Sequence, residues 1–564
     1  LTRDVFVVSP LKAHIFDQQR TPLVDDARLR DSVMLQIIDQ MSYTRPTGGR
    51  RAERVSYGTP GINQLGSVYG ALLSYRGFIA SERLYEVKRA RVSFDPLDVG
   101  YFVTEDELGL YAEDERVRHE SGPQRGQLRT YEKGHFIYRL AGREREQSAS
   151  YYTPESLARC LVKYALKELL EGKTADEILH LTVCEPAMGS AAFLNEVINQ
   201  LAEAYPSRKQ EELGKTISHD SRQYELQRVK MLIADRNVYG IDLNPIAVEL
   251  GEVSLWLNTI SQDGYVPWFG NQLHCGNSLI GARRQGYTEK DLSSRAGGIR
   301  WYDHEPERVG FKTGCSKSHR VYHFLVGDPR MSKYDDRVIR NLEPEKLKAI
   351  KRWNRAFVSP YGPAEVRSLR EFSYEIDRLW AEQVKQQRLL RQNTVDRLEC
   401  YGFEDTEGTS HTSIREKDAP LSMFYRSEHA RNAGPYARLK FAMDYWCSLW
   451  FWPIEKTDLL PTRDEFLMHM SFILVGTTER VAGVKNQPSL QMTFDFGEGL
   501  QAAEQLEFSQ MQNEFGSDKV VDLDDLCRKF PTLDLARQIA EQHHFFHWEL
   551  EFADVFETRG GFNL

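Results

Sequence analysis

Cysteine is scarce and badly placed for cross-linking. The seven cysteines in 564 residues are odd in number, scattered, and never spaced C-x-x-C. That argues against a disulfide framework or a zinc site and for a reducing, cytoplasmic setting. No apolar run approaches the roughly 18 residues a membrane helix needs, so no membrane partner is expected. Leu1-Thr2-Arg3-Asp4 has no charged-then-apolar leader. A net basic charge is also missing. With 73 Lys and Arg against 82 Asp and Glu, the formal charge is −9. Wholesale adhesion to nucleic acid is thereby excluded, and any DNA contact needs local basic faces. There is no G-x-x-x-x-G-K-[ST], so no phosphate-cradling motor is visible.

What is present divides by pattern. At about 150 residues per domain, the length suggests three or four domains. Residues 1–82 read as helical, because Ile62, Leu65, Val68, Tyr69, Leu72 and Leu73 recur at three- and four-residue spacing. Residues 83–145 read as a small β-rich, charged segment. Residues 146–281 alternate: helix from Leu157 to Leu170, strand from Leu179 to Cys184, helix from Ala192 to Tyr205, strand from Val238 to Asp242, helix from Ala247 to Leu257, strand from Leu273 to Asn277. Such alternation implies a parallel sheet of the α/β class. Residues 282–540 read as a large, mainly helical insertion with one long helix from Arg367 into Leu398 and an aromatic tract from Trp446 to Pro453. Residues 541–564 return to the core, where Gly560-Gly561-Phe562-Asn563-Leu564 has the pattern of an opening buried strand.

The most informative stretch is Val183-Cys184-Glu185-Pro186-Ala187-Met188-Gly189-Ser190-Ala191-Ala192-Phe193-Leu194. An apolar strand ends in an acid, and a turn of small residues opens an apolar helix. Small residues let a ligand approach the backbone at the carboxyl edge of the sheet. This is not G-x-G-x-x-G, and the position about 20 residues on, where a dinucleotide site needs an acid, is Tyr205. The next strand-end acid is Asp242, in Gly240-Ile241-Asp242-Leu243-Asn244-Pro245, whose carboxylate can accept both hydroxyls of a ribose. Cys275-Gly276-Asn277-Ser278-Leu279 follows in the same order.

These residues resemble amino-methylating DNA methyltransferases. Glu185 to Leu194 is similar to their S-adenosylmethionine loop, D-P-A-x-G-S-G-x-F-L, with Glu185 in place of Asp and Ala191 in place of Gly. Tyr151-Tyr152-Thr153-Pro154 resembles their Y-T-P element. The order, with Y-T-P ahead of the glycine loop, resembles the gamma-type adenine-N6 enzymes. The resemblance implies a Rossmann-like class I core binding S-adenosylmethionine. Tyr152, Thr153 and Pro154 would lie near its methionine end, and the loop residues Glu185, Pro186, Ala187, Gly189 and Ser190 would lie along it. Asp242 would hold the ribose, Leu243 beside it would line the cofactor site, and Asn277 would neighbour the adenine. Leu65 to Tyr69, Phe136 to Arg143 and His547 to Phe556 resemble the large methylases of BREX and DISARM phage defence and the fused restriction-modification methylases. That likeness implies double-stranded DNA as substrate, self-DNA marking as role, and other defence proteins as partners.

Transfer to adenine N6 needs an Asn or Asp side chain, a proline carbonyl and a stacking aromatic around a flipped base. The family writes these as N-P-P-Y or N-P-P-W, and no such tetrapeptide occurs in the 564 residues. Asp328-Pro329-Arg330-Met331 is an imperfect candidate, since Met331 cannot stack like Tyr. The expectation is that the transfer residues follow Leu564 in a longer polypeptide, because a segment like His547 to Phe556 leads into that strand in the family. Two alternatives stand: a non-catalytic, cofactor- and DNA-binding scaffold, and methyl transfer to RNA or protein. Cytosine-C5 transfer is disfavoured because no cysteine follows a proline. His543, His544 and His547 lie among aromatics, which favours packing over metal binding. Between Met331 and Phe357, eight basic residues face four acidic ones. Phosphate contact and a solvated mixed-charge helix are the two readings there.

Overall fold

The computed structural model describes residues 29–43, 54, 75–95, 99–119, 122–140, 153–260, 267–293, 300–403, 414–476 and 521–564. The chain forms two compact units. The first gathers residues 1–275, 396–414 and 563–564, and the second gathers 276–395 and 415–562.

The first described element of the first unit is a helix, α1 (Asp31–Ser42). The helical spacing at 62–73 lies outside the described residues. Five short antiparallel strands come next: β1 (Tyr75–Ile79), β2 (Leu84–Val87), β3 (Tyr101–Val103), β4 (Thr130–Tyr131) and β5 (Phe136–Leu140). β1 falls in the stretch expected to be helical. It is a strand because it pairs residue by residue with β5, Ile79 opposite Phe136, and because Gly77 has no Cβ where the Phe136 ring lies. In the sheet β3-β2-β4, buried Glu86 meets Arg129 at 3.2 Å, Arg139 at 3.1 Å and the Tyr131 hydroxyl at 2.8 Å. The pairing satisfies an otherwise costly buried carboxylate.

Helix and strand then alternate through α2 (Glu155–Leu169), β6 (Val183–Glu185), α3 (Ala192–Leu213), α4 (His219–Arg236), β7 (Val238–Asp242), α5 (Pro245–Thr259) and β8 (Leu273–Cys275). The strands are parallel in the order β6-β7-β8, with Val183 opposite Val238 and Asp242 opposite Cys275. Parallel neighbours need crossovers, and the helices supply them. β6 starts four residues later than the apolar run from Leu179 suggests. The buried Asn237 carboxamide donates to Ile178 O at 3.0 Å and Leu181 O at 2.7 Å, which holds that run in a turn. α3 runs past Pro206, where a stop was expected. Tyr205 donates to Tyr401 O at 3.0 Å and Arg208 to Lys173 O at 2.6 Å, so packing outweighs the missing N–H. Val183 N bonds towards β7, while the alternating groups of β6 bond the other way. Asn563 N donates to Thr182 O at 2.8 Å, and Cys184 N donates to Leu564 O at 2.9 Å.

The second unit opens on an antiparallel sheet, β10-β9-β11, of β9 (Gln285–Thr288), β10 (Glu307–Arg308) and β11 (Arg320–Tyr322). Around it pack α6 (Pro344–Phe357), α7 (Pro363–Thr394), α8 (Pro435–Ser448), α9 (Arg463–Leu474), α10 (Pro531–His543) and α11 (Ala553–Arg559). α7 starts and stops four residues earlier than its apolar spacing suggests. The Glu365 carboxylate accepts Gly362 N at 2.6 Å and fixes the start. Leu398 and Cys400 leave the helix to join the core of the first unit. Trp301, Trp380 and Trp452 are fully buried in the core of the second. Among the described residues, no helix is long and apolar enough to cross a membrane.

Candidate cofactor-binding site

The site sits where β6 and β7 end side by side. β6 delivers Glu185, and the turn Pro186 to Ala191 delivers the chain to α3. The side chain that seats this turn is Met188. Its N–H donates to Ile241 O at 2.9 Å, and its sulfur occupies the space a Cβ on Gly240 would take, 2.3 Å away. Gly251 on α5 leaves room for the same side chain. Gly240 inside a strand is therefore a packing requirement of the loop. Ala191 closes the turn in the left-handed region, φ 62°, which favours Gly. Its carbonyl accepts Asn195 N at 2.9 Å and the Asn195 amide at 2.9 Å, which steadies the strained position.

Asp242 ties the loop to the neighbouring strand. One carboxylate oxygen accepts Gly189 N at 2.8 Å and the other accepts Asn244 N at 2.8 Å, and each keeps a lone pair. Gly189 adopts φ +53°, and a Cβ there would meet nothing within 4 Å, so the space before the loop is open. Glu185 is the unusual member. One of its carboxylate oxygens is buried without a hydrogen-bond partner. Burial pushes its carboxyl well above the usual carboxylate range, the Leu194 N–H opposes this, and the Asp242 carboxylate adds to it. Leu243, next to Asp242, is 42% exposed and offers an apolar surface at the strand tip.

The remaining expected residues are distributed as follows. Thr153 and Pro154 lead into α2, with Pro154 O accepting the first helical N–H groups, and α2 packs along α3 through Arg159 and Glu196. Tyr152 lies outside the described residues. Asn277 falls in the second unit, two residues after β8. Its side-chain oxygen accepts Leu279 N at 3.1 Å, and its N–H donates to His544 O at 2.7 Å. Asp328 is in the second unit, its carboxylate clasped by the Arg330 guanidinium at 2.9 and 2.7 Å. His547 is fully buried. It accepts Ala282 N at 3.0 Å on Nδ1, so Nε2 donates to Asp444 at 3.0 Å, and Lys440 closes the network at 2.7 Å. In the basic stretch, Lys333, Lys346 and Lys348 pair with nearby acids, while Lys351, Arg352 and Arg355 are exposed on α6. Trp353 packs, donating to Pro461 O at 2.6 Å. Sequence reasoning passed over Met188, although Gly240 in a strand and Gly251 in a helix both signal close packing.

Residues 129–278 match the family described as N-6 DNA Methylase, a span that holds β6, β7, β8 and the loop between Glu185 and Ala191. The chain is 25% identical over 198 residues to a protein of Methanocaldococcus jannaschii named "Putative type II restriction enzyme and methyltransferase". The similarity covers 27% of this chain and 16% of that protein, so the chain spans about a sixth of the curated relative it matches. No solved structure matches.

Proposed function

We propose that the chain carries the S-adenosylmethionine-binding part of a DNA adenine-N6 methyltransferase built on a Rossmann-like core. The observation that carries the reading is the tie between Gly189 N and Asp242 across two parallel strand tips, beside a buried Glu185 oxygen that lacks a partner. The residues fit the cofactor. Open space before Gly189 admits a ligand to the backbone, the free lone pairs of Asp242 suit ribose hydroxyls, and exposed Leu243 suits an adenine face. Glu185 supplies a carboxylate for a cation, which the ammonium and sulfonium groups of the cofactor provide. When bound, the cofactor supplies an electrophilic methyl group on sulfur. The chain's own work is to hold the nucleoside across the sheet edge and to fix its orientation through the seated loop.

The family match and the named relative support DNA as the substrate, and the relative's name supports a restriction-modification or phage-defence setting with self-DNA marking. The likeness to BREX and DISARM methylases narrows that setting, with other defence proteins as partners in the cytoplasm. The missing N-P-P-Y favours a second reading, a subunit that binds cofactor and DNA without transferring the methyl group. Calorimetry with S-adenosylmethionine and its demethylated product tests the pocket. Tritiated methyl transfer to duplex DNA, to RNA and to protein separates the readings. No binding heat with either nucleoside on well-folded protein would refute both.

A further inference from the structure

With a formal charge of −9, the chain can meet a polyanion only where its cations stand free of its acids. Several do not. On α6, Lys346 and Lys348 pair with Glu343 and Glu345, the pattern of a solvated helix. In the β-rich segment of the first unit, Arg83 pairs with Glu132 at 2.7 Å, and Arg116 and Arg118 share Glu113. The turn that follows β2, Lys88-Arg89-Ala90-Arg91-Val92, is different. Three of its five residues are cations. Arg89 and Arg91 are exposed, and among the described residues neither guanidinium has an acid partner.

The turn is also held in a strained shape. Val92 N donates to Arg89 O at 3.3 Å and closes four residues, so Arg91 occupies the third position, with φ 63°. A positive φ at that position is the place of Gly or Asn. Lys88 Nζ donates to Val92 O at 2.5 Å and Lys88 N to Glu115 O at 2.8 Å, which fixes both arms of the turn. The Glu115 carboxylate turns instead to Ala112 N, at 2.8 Å. Behind the turn, β2 is anchored by buried Tyr85 and Val87. Among the described residues no bond from the Arg91 side chain offsets the cost of its backbone. Strain of this kind marks a surface shaped for something outside the chain.

Two kinds of partner answer a turn of free cations. An acidic protein surface adds an apolar contact core, and here the turn offers only Ala90 and Val92 for it. Duplex DNA carries one charge per about 1.7 Å of axis, so closely set cations on a narrow support suit it without an apolar core. Its minor groove is about 6 Å wide, a space that single chain segments carrying arginine enter.

We propose that the turn from Lys88 to Val92 grips the backbone of duplex DNA, with Arg89 and Arg91 on neighbouring phosphates and no reading of sequence. The proposal rests on the methyltransferase reading only for the identity of the polyanion, DNA.

The test is fluorescence anisotropy with the 564-residue chain on two duplexes of unrelated sequence over a range of salt. Arg89→Ala and Arg91→Ala should each weaken binding to both duplexes alike and lower the salt slope by about one, and the double variant by about two. Arg83→Ala removes the same charge from an exposed, ion-paired position in the same segment and should leave the slope unchanged. Arg91→Gly separates contact from fold. It relieves the positive φ, so the melting temperature should hold or rise while the slope still falls. Arg91→Lys keeps the charge and should keep the slope. No DNA binding by the wild type at low salt, an unchanged slope in the double variant, or an equal fall in Arg83→Ala would overturn the assignment. So would a loss confined to one duplex, or competition by polyglutamate as strong as by unlabelled duplex of equal charge, which would give the turn to an acidic protein. Cofactor calorimetry on the same protein reads the strand tips separately, so either proposal can fail while the other stands.

Discussion

Two regions are built in opposite ways. The strand-tip site of the first unit is made of backbone and near neighbours: Glu185 to Ala191 is one continuous turn, and Asp242 closes it from the next strand. An aromatic cavity of about 160 Å³ in the second unit is made largely of side chains far apart in the chain, among them Tyr287, Pro306, His323, Asp328, Trp446 and Trp450. A ligand cradled by backbone demands particular small residues in a particular order, and such order can be read in a sequence. Stacking surfaces demand only aromatics, which are also what cores are made of. The difference teaches why one region announces itself as a motif and the other emerges only from the fold.

If the units are as separate as this contrast implies, damage to one should leave the other untouched. The largest effect is expected from Asp444→Ala, which strips the buried His547 and the partly exposed Lys440 of their shared carboxylate. Losing one partner of a buried charged network costs about 3–5 kcal/mol. Chemical denaturation should show that loss in the second unit, with cofactor affinity unchanged in the protein that remains folded. Asp242→Ala is the counterpart in the first unit. It removes the acceptor for Gly189 and Asn244 and for any ribose, and each charge-assisted bond contributes about 1.5–3 kcal/mol. Calorimetry should show S-adenosylmethionine binding weakened about 100-fold or more, with the stability of the second unit intact. Loss of both properties in either variant would erase the contrast.

A smaller effect tests how the loop is seated. In Gly240→Ala the new methyl would lie 2.3 Å from the Met188 sulfur. Overpacking of this kind costs about 1–3 kcal/mol, and because Met188 anchors the loop, cofactor affinity should fall with stability. Gly240→Ala combined with Met188→Ala should recover part of the stability without recovering affinity. A melting curve and a binding isotherm on the single and double variants decide the point.

Legibility followed the same division. β7 runs from Val238 to Asp242 as its apolar run suggests, with its first four residues buried. β6 does not start at Leu179, because a single distant amide, Asn237, bends that run into a turn. Pro206 does not end α3, because Tyr205 and Arg208 are pinned from outside the helix. β1 is a strand because its partner lies about sixty residues on. In each case a long-range contact overrode a local preference. Asp328 carried a faint signal as part of an imperfect tetrapeptide. Its structural meaning came from Arg330, two residues away, and from Trp446 and Trp450, far along the chain.

The finest test sets stability against binding at one carboxyl. Glu185 titrates above the ordinary carboxylate range because it is buried, with one oxygen lacking a partner. At pH 4 and below it is protonated in both folded and unfolded chains, so the burial carries little penalty. As pH rises, the unfolded chain ionises first, and stability falls until the folded-state carboxyl ionises too, after which the difference is constant. Glu185→Gln removes this group's contribution. The variant should match wild type near pH 4 and exceed it at pH 8 by about 1 kcal/mol, the lower end of the cost of an unpaired buried polar group. Cofactor binding should move the other way. A cation entering beside Glu185 favours its ionised form, so wild-type affinity should rise with pH above the ordinary carboxylate range, with proton release on binding, and the Gln variant should bind more weakly with neither. A variant that gained nothing at pH 8, or kept the proton release, would show that Glu185 is not the group facing the cation and would leave Asp242 alone at the strand tips.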